Sequence, residues 1–163
     1  MATPKDVVRQ AVEFGHVVAQ AYIGDLNDKD LLVRSVPGTN HIAWQLGHII
    51  ISLQGMLAAL GHKPPELPKN FEAAYTKETA SSDDPSKFAS KDEYVRLLDQ
   101  MKAASLAAID KTPDSALDQP GPEDMRAYAP TVSSVLLLLG NHILMHTGQW
   151  VPIRRKLGHP PLF

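Results

Sequence analysis

The chain has no cysteine, so disulfides and thiolate metal sites are excluded outright. Any metal site must be built from His, Asp, Glu or backbone oxygens. Long apolar runs are also lacking. The longest, Val135 to Leu139, is far too short to span a bilayer, so no membrane partner is expected. The first residues, Met1-Ala2-Thr3-Pro4-Lys5-Asp6, lack the basic-then-apolar form of a signal peptide, and a cytoplasmic location is the expectation. Charge of one sign is nowhere concentrated: 16 basic and 18 acidic side chains are well mixed, with a net charge of −2. Without a basic patch nothing argues for nucleic acid, and without an acidic tail nothing argues for a disordered arm. Strand patterns, internal repeats and low-complexity segments are missing as well.

What is present suits one core. With 163 residues, 44% of them hydrophobic, the chain is expected to form a single soluble domain over 1–163. Four stretches carry helical periodicity. Pro4 fits a first helical turn, and Val7, Val8, Ala11, Phe14, Val18 and Tyr22 recur at three- and four-residue steps up to about Gly24. His16 reads as a partly exposed residue of that helix. A second helix follows the Pro37-Gly38 turn, with Thr39 or Asn40 as its N-cap, and runs from about Ile42 to Leu60 before Gly61. Ile42, Leu46, Ile49, Leu53, Met56, Leu57 and Leu60 form its apolar face. Ser90-Lys91-Asp92-Glu93 reads as a capping box opening the third helix, which buries Tyr94, Leu97, Leu98, Met101, Ser105, Ala108 and Ile109 and ends at Thr112-Pro113. The fourth, capped by Thr131 or Ser133, runs to Gly158, with Pro152 expected to kink it or loosen its last turns. The connection from His62 to Pro85 is rich in Pro and polar residues, with a short helix around Phe71 to Thr76. It is long enough to cross a bundle, so the second and third helices can run parallel. The expected fold is an all-α four-helix bundle.

Two features carry chemistry. In the fourth helix His142 and His146 stand four residues apart and so point the same way, the spacing one rigid element needs to offer two imidazoles to a metal. Their stripe otherwise reads as core. In the second helix His41, Gln45, His48 and Ser52 form a narrow polar stripe, beside Trp44 and Ile51. Such a stripe faces either solvent or a site, because burying it without partners is costly. Inward side chains of facing helices commonly build bundle metal sites, and His48 with His142 and His146 makes a three-His set. Three neutral imidazoles at about 2.0–2.1 Å with a fourth position open are a catalytic arrangement. It lowers the pKa of bound water toward neutrality, and a thiolate is an equal candidate for the nucleophile.

Trp44-Gln45-Leu46-Gly47-His48-Ile49, followed nearly a hundred residues later by His142-Ile-Leu-Met-His146-Thr-Gly148-Gln149 and then Arg154-Arg155, resembles the DinB-like superfamily of four-helix-bundle metalloenzymes. The resemblance covers essentially the whole chain and rests on about fifteen residues. It implies an up-down-down-up path and a divalent ion, zinc or nickel, held by His48, His142 and His146. It also implies a homodimer. Characterised relatives include thiol-dependent S-transferases and an isomerase using low-molecular-weight thiols such as bacillithiol or mycothiol, and many members have no known substrate; no feature of this sequence matches either thiol. His41, two turns before His48, competes for the third ligand position or for a supporting one; the tryptophan-to-histidine interval of the resemblance favours His48. Gln45 and Gln149 lie about a turn from ligand histidines and could bond a ring or a substrate, though ordinary helix polarity explains both slightly better. Arg154 and Arg155 could hold a substrate carboxylate, but a helix C-terminus attracts cations anyway.

Two functions compete. One is a divalent-metal-dependent enzyme, a thiol S-transferase or hydrolase acting on a small molecule, with a cavity open at the three histidines. The other is a non-catalytic binding or scaffold bundle with a vestigial or structural metal site. Metal sensing or storage is a weaker third, because the interior offers no carboxylates.

Overall fold

Thr3 and Pro4 open the first helix, α1 (Pro4–Gly24). The Thr3 hydroxyl accepts from the Asp6 N–H at 3.2 Å, and the Asp6 carboxylate accepts from the Thr3 N–H at 2.7 Å, a reciprocal cap. The computed structural model describes residues 2–162; Met1 and Phe163, the ends of the N-terminal stretch and of the C-terminal tail, lie outside the described residues. Three further helices follow: α2 (Ile42–Ala59), α3 (Lys91–Lys111) and α4 (Val132–Lys156). Among the described residues there are no strands, only one isolated bridge between Pro120 and Thr131. The fold is the expected four-helix bundle.

Its path follows from which residues meet. Arg9 pairs with Asp110, and Gln20 donates to Asp99 at 2.6 Å, so α1 and α3 are antiparallel. Gly15 meets Gly140, and Arg154 donates to the Tyr22 carbonyl at 2.8 Å, so α1 and α4 are parallel. Gln45 reaches His146 and Trp150, while His48, three residues on, meets His142 and His146, so α2 runs against α4. Hence α2 and α3 point the same way, and the chain from Leu60 to Ser90 returns along the bundle between them. This is an up-down-down-up bundle. By length and composition alone α2 could cross a membrane, but 61% of it is buried within the bundle.

The third helix buries the seven residues that its period predicts. The first does not. Its inward face is Val8, Val12, Gly15, His16, Val18, Ala19 and Ile23, while Val7 and Phe14 are 55% and 58% exposed. The cause is a glycine seam. A Cβ on Gly15 would stand 2.7 Å from the Gly140 carbonyl oxygen, and one on Gly140 would stand 2.4 Å from that of Ala11. The two backbones touch there, which turns α1 about its axis and away from the apolar face that its sequence advertises. Gly140→Ala should therefore cost about 2–3 kcal/mol, in the range of overpacked cores, because only backbone can yield. At roughly 2–4 °C per kcal/mol for a chain of this size the expected fall in Tm is about 4–12 °C. Calorimetric melting beside Gly55→Ala, where a Cβ meets nothing within 4 Å, checks it.

Local details also depart from expectation. The cap of α2 is neither Thr39 nor Asn40 but His41, whose Nδ1 accepts from the Trp44 N–H at 3.0 Å. At α3 only half of the capping box forms: the Ser90 hydroxyl accepts from the Glu93 N–H, but the Glu93 carboxylate is taken by Arg96 at 2.7 and 2.8 Å. The short helix near Phe71 is a 3-10 turn, Glu72–Tyr75, and α4 continues past Pro152 to Lys156.

His16 is the largest departure. It is fully buried, and neither ring nitrogen has a hydrogen-bond partner among the described residues. Burial, and then the nearby charge of Lys102 on α3, push its pKa down to about 4. The sign follows directly. Between pH 6.5 and 4 the unfolded chain takes up a proton that the folded chain refuses, so stability is lost as pH falls through that window. The full loss is about 3 kcal/mol at roughly 1.4 kcal/mol per pH unit. Urea unfolding of metal-free protein from pH 7 to pH 4 should show a shallower decline in His16→Leu than in wild type. The comparison must be a difference, since other buried histidines slope the same way.

Candidate metal centre

Helix α2 supplies His48, and α4 supplies His142 and His146. The antiparallel packing of the two helices brings the three imidazoles together. One ring nitrogen from each lies within 4.8 Å of the others, and the Nε2 atoms of His142 and His146 are 2.9 Å apart. The His48 ring centroid is 5.3 Å from that of His142 and 5.0 Å from that of His146. Nitrogens bonded at 2.0–2.1 Å around a tetrahedral ion stand roughly 3.4 Å apart. The observed separations bracket that value, so the donor set fits a divalent ion.

Electrostatics agree. Burial lowers the pKa of His48. Burial, and then His48, lower that of His142 to about 4. Burial, and then His142 and His48, lower that of His146 to about 4. Burial thus disfavours the charged form of all three rings, and the neutral imidazole is the form that donates to a metal. His146 is buried, whereas His48 and His142 are half-buried, so access is from their side.

The surroundings hold these rings in place. The Trp44 indole stacks on His48, with centroids 5.3 Å apart and planes 5° from parallel. Its N–H donates to the Thr76 carbonyl at 3.1 Å, which ties the ring to the chain between α2 and α3. Gly47 leaves room for Tyr75, whose ring would lie 2.2 Å from a Cβ there. The Tyr75 hydroxyl is 2.7 Å from that of Tyr94. Gln45, 1% exposed, has its Oε1 3.2 Å from His146 Nδ1 and 3.0 Å from Trp150 Nε1, while its Nε2 donates to the Asn40 carbonyl at 2.8 Å. The polar stripe of α2 thus faces the interior.

Other candidates go elsewhere. His41 spends one nitrogen on the α2 cap and the other against the Ser82 carbonyl at 3.1 Å, so it is outside the cluster. Gln149 and Arg155 are exposed. Arg154 is buried and bound to Asp25 and the Tyr22 carbonyl, a structural role. Trp150 was not singled out by the sequence pattern, although its place one turn beyond His146 was a usable signal. Surface cavities of about 580 Å³ beside Gln54 and Phe71 and about 430 Å³ beside Leu60 and Lys111 are not lined by the three histidines.

Compared with known proteins, residues 12–150 match the DinB superfamily. Among curated proteins none matches. A solved structure, described as the crystal structure of the conserved protein of a locus from Enterococcus faecalis, superposes with a TM-score of 0.74 over 97% of this chain and 99% of that one. At 17% identity the likeness shows the fold alone.

Proposed function

Because this chain belongs to the DinB superfamily, we propose that it is a divalent-metal-dependent enzyme acting on a small molecule, a thiol-dependent S-transferase or a hydrolase. The observation that carries this reading is the set of three imidazoles, His48, His142 and His146, drawn from two helices with one ring nitrogen of each within 4.8 Å of the others. His48, His142 and His146 would hold zinc or nickel, which would supply a Lewis acid able to make a nucleophile of water or a low-molecular-weight thiol near neutral pH. The residues' own part is placement. Trp44 holds the plane of His48, and Gln45 takes the far nitrogen of His146. Among the described residues no carboxylate belongs to the cluster, so it contains no carboxylate general base. The half-buried rings of His48 and His142 mark the side from which a substrate enters.

The test is metal content. Untagged protein purified without chelator is expected to carry about one equivalent of zinc or nickel by mass spectrometry. A screen of thiols against small electrophiles, and of small esters and amides, should then show turnover that chelation abolishes. Protein that carries no metal and takes none up would overturn the reading. It would leave the alternative, a non-catalytic binding or scaffold bundle, to which the surface cavities away from the histidines also lend support.

A homodimer and a cytoplasmic location complete the proposal. Val7 and Phe14 of α1, with Val151 of the parallel α4, leave apolar side chains in solvent. Light scattering should give a dimer for wild type and a monomer for Phe14→Glu; a wild-type monomer at high concentration removes the dimer.

A further inference from the structure

Gln45 is bounded by groups that leave its amide only one orientation. The Asn40 carbonyl can only accept, so it must face the Gln45 nitrogen, at 2.8 Å. The Trp150 indole N–H can only donate, so it must face the Gln45 oxygen, at 3.0 Å. The same oxygen is what His146 Nδ1 meets at 3.2 Å. An amide oxygen has no proton to give, so Nδ1 must carry the hydrogen. A neutral ring has only one N–H, which leaves Nε2 of His146 as a bare lone pair. That lone pair faces His142 Nε2 at 2.9 Å, inside the cluster.

We infer that Gln45, itself oriented by Trp150 and Asn40, is a positioning residue that locks His146 in the Nδ1–H tautomer, with its Nε2 lone pair presented to the site before any ion arrives. A histidine in water prefers its proton on Nε2, the reverse of what the site needs. The network removes that preference in advance and fixes the ring's rotation with it. The consequence for metal binding rests on the proposed function; the tautomer itself does not. Partners of this kind commonly change metal affinity 10–100-fold.

The experiment has two readouts. In metal-free protein at pH 7.5, long-range proton–nitrogen correlation spectra of the imidazoles report which nitrogen of His146 is protonated. Wild type should show Nδ1–H. Gln45→Met, close in volume but without an acceptor, should populate the Nε2–H form. Gln45→Glu, which restores an acceptor oxygen, should return it to Nδ1–H. Trp150→Phe, which removes one of the two groups that orient the Gln45 amide, should admit some of the Nε2–H form and stands in if Gln45→Met fails to fold; an unchanged tautomer there would count against the inference. Titration with zinc ion should then show affinity weakened about 10–100-fold in Gln45→Met and largely recovered in Gln45→Glu. His146 found with its proton on Nε2 in wild type, or a tautomer unchanged in folded Gln45→Met, would overturn the inference. If wild type shows Nδ1–H but binds no zinc, the metalloenzyme reading fails and the role of Gln45 stands.

Discussion

The double substitution His142→Ala/His146→Ala should abolish binding of a divalent ion while leaving the bundle folded. Two of the three donors are lost, and a single half-buried imidazole, His48, does not hold an ion from water. The variant removes polar rings whose charged forms the interior already disfavours, so metal-free stability should change little beyond the lost packing. The large effect is on ligand-linked stability. An ion present at 1,000 times its Kd stabilises the folded state by about 4 kcal/mol. At roughly 2–4 °C per kcal/mol for a domain of this size, wild type should melt 8–16 °C higher in excess zinc than after chelation. The double variant should show no such difference. Metal analysis should agree, with about one equivalent in wild type and none in the variant. Equal metal in both proteins would place the ion elsewhere and remove the three-His centre.

Much of this site could be read from the chain because helical spacing is a strict constraint. His142 and His146 share a face whatever the bundle does, and His48 lies on a stripe that an otherwise apolar helix had no reason to carry. The buried faces of α2 and α3 were legible for the same reason. Two kinds of information were not. The first is backbone contact: glycine contributes nothing to an apolar pattern, so the Gly15–Gly140 seam was invisible, and with it the rotation of α1 that exposes Phe14 and buries His16. The second is the use of polar side chains. Nothing in the sequence says that His41 would serve as a cap, or that the oxygen of Gln45 would be shared by partners one hundred residues away. Those assignments depend on which donors and acceptors are left over once the helices have packed.

Asp25→Ala should be among the most destabilising single changes away from the metal centre. Arg154 has a side chain only 3% exposed, and Asp25 is its counter-ion. Its guanidinium contacts both carboxylate oxygens, one of them at 3.0 Å, and also donates to the Tyr22 carbonyl at 2.8 Å. Breaking a buried pair by deleting one partner costs about 3–5 kcal/mol, because a charge is left without compensation. Asp25 is itself 47% exposed, so water reaches the gap and about 2–3 kcal/mol is the better expectation. Arg154→Met removes the charge and keeps much of the volume, leaving only a carboxylate that solvent can hydrate, so it should cost less than Asp25→Ala. In the double variant the two costs should fall short of their sum by 1 kcal/mol or more, the mark of direct coupling. Urea unfolding of the four proteins measures this. Additive costs, or a stability indifferent to Arg154, would instead return that side chain to the role of a ligand for a substrate carboxylate. Acid separates this pair from His16. Arg154 holds the Asp25 carboxyl well below the usual carboxylate range, so its contribution is present above about pH 3.9 and is lost only as pH falls through that lower value. His16 drains stability already below pH 6.5. From pH 7 to 4, Asp25→Ala should therefore run parallel to wild type at lower stability, and His16→Leu should decline less steeply than wild type.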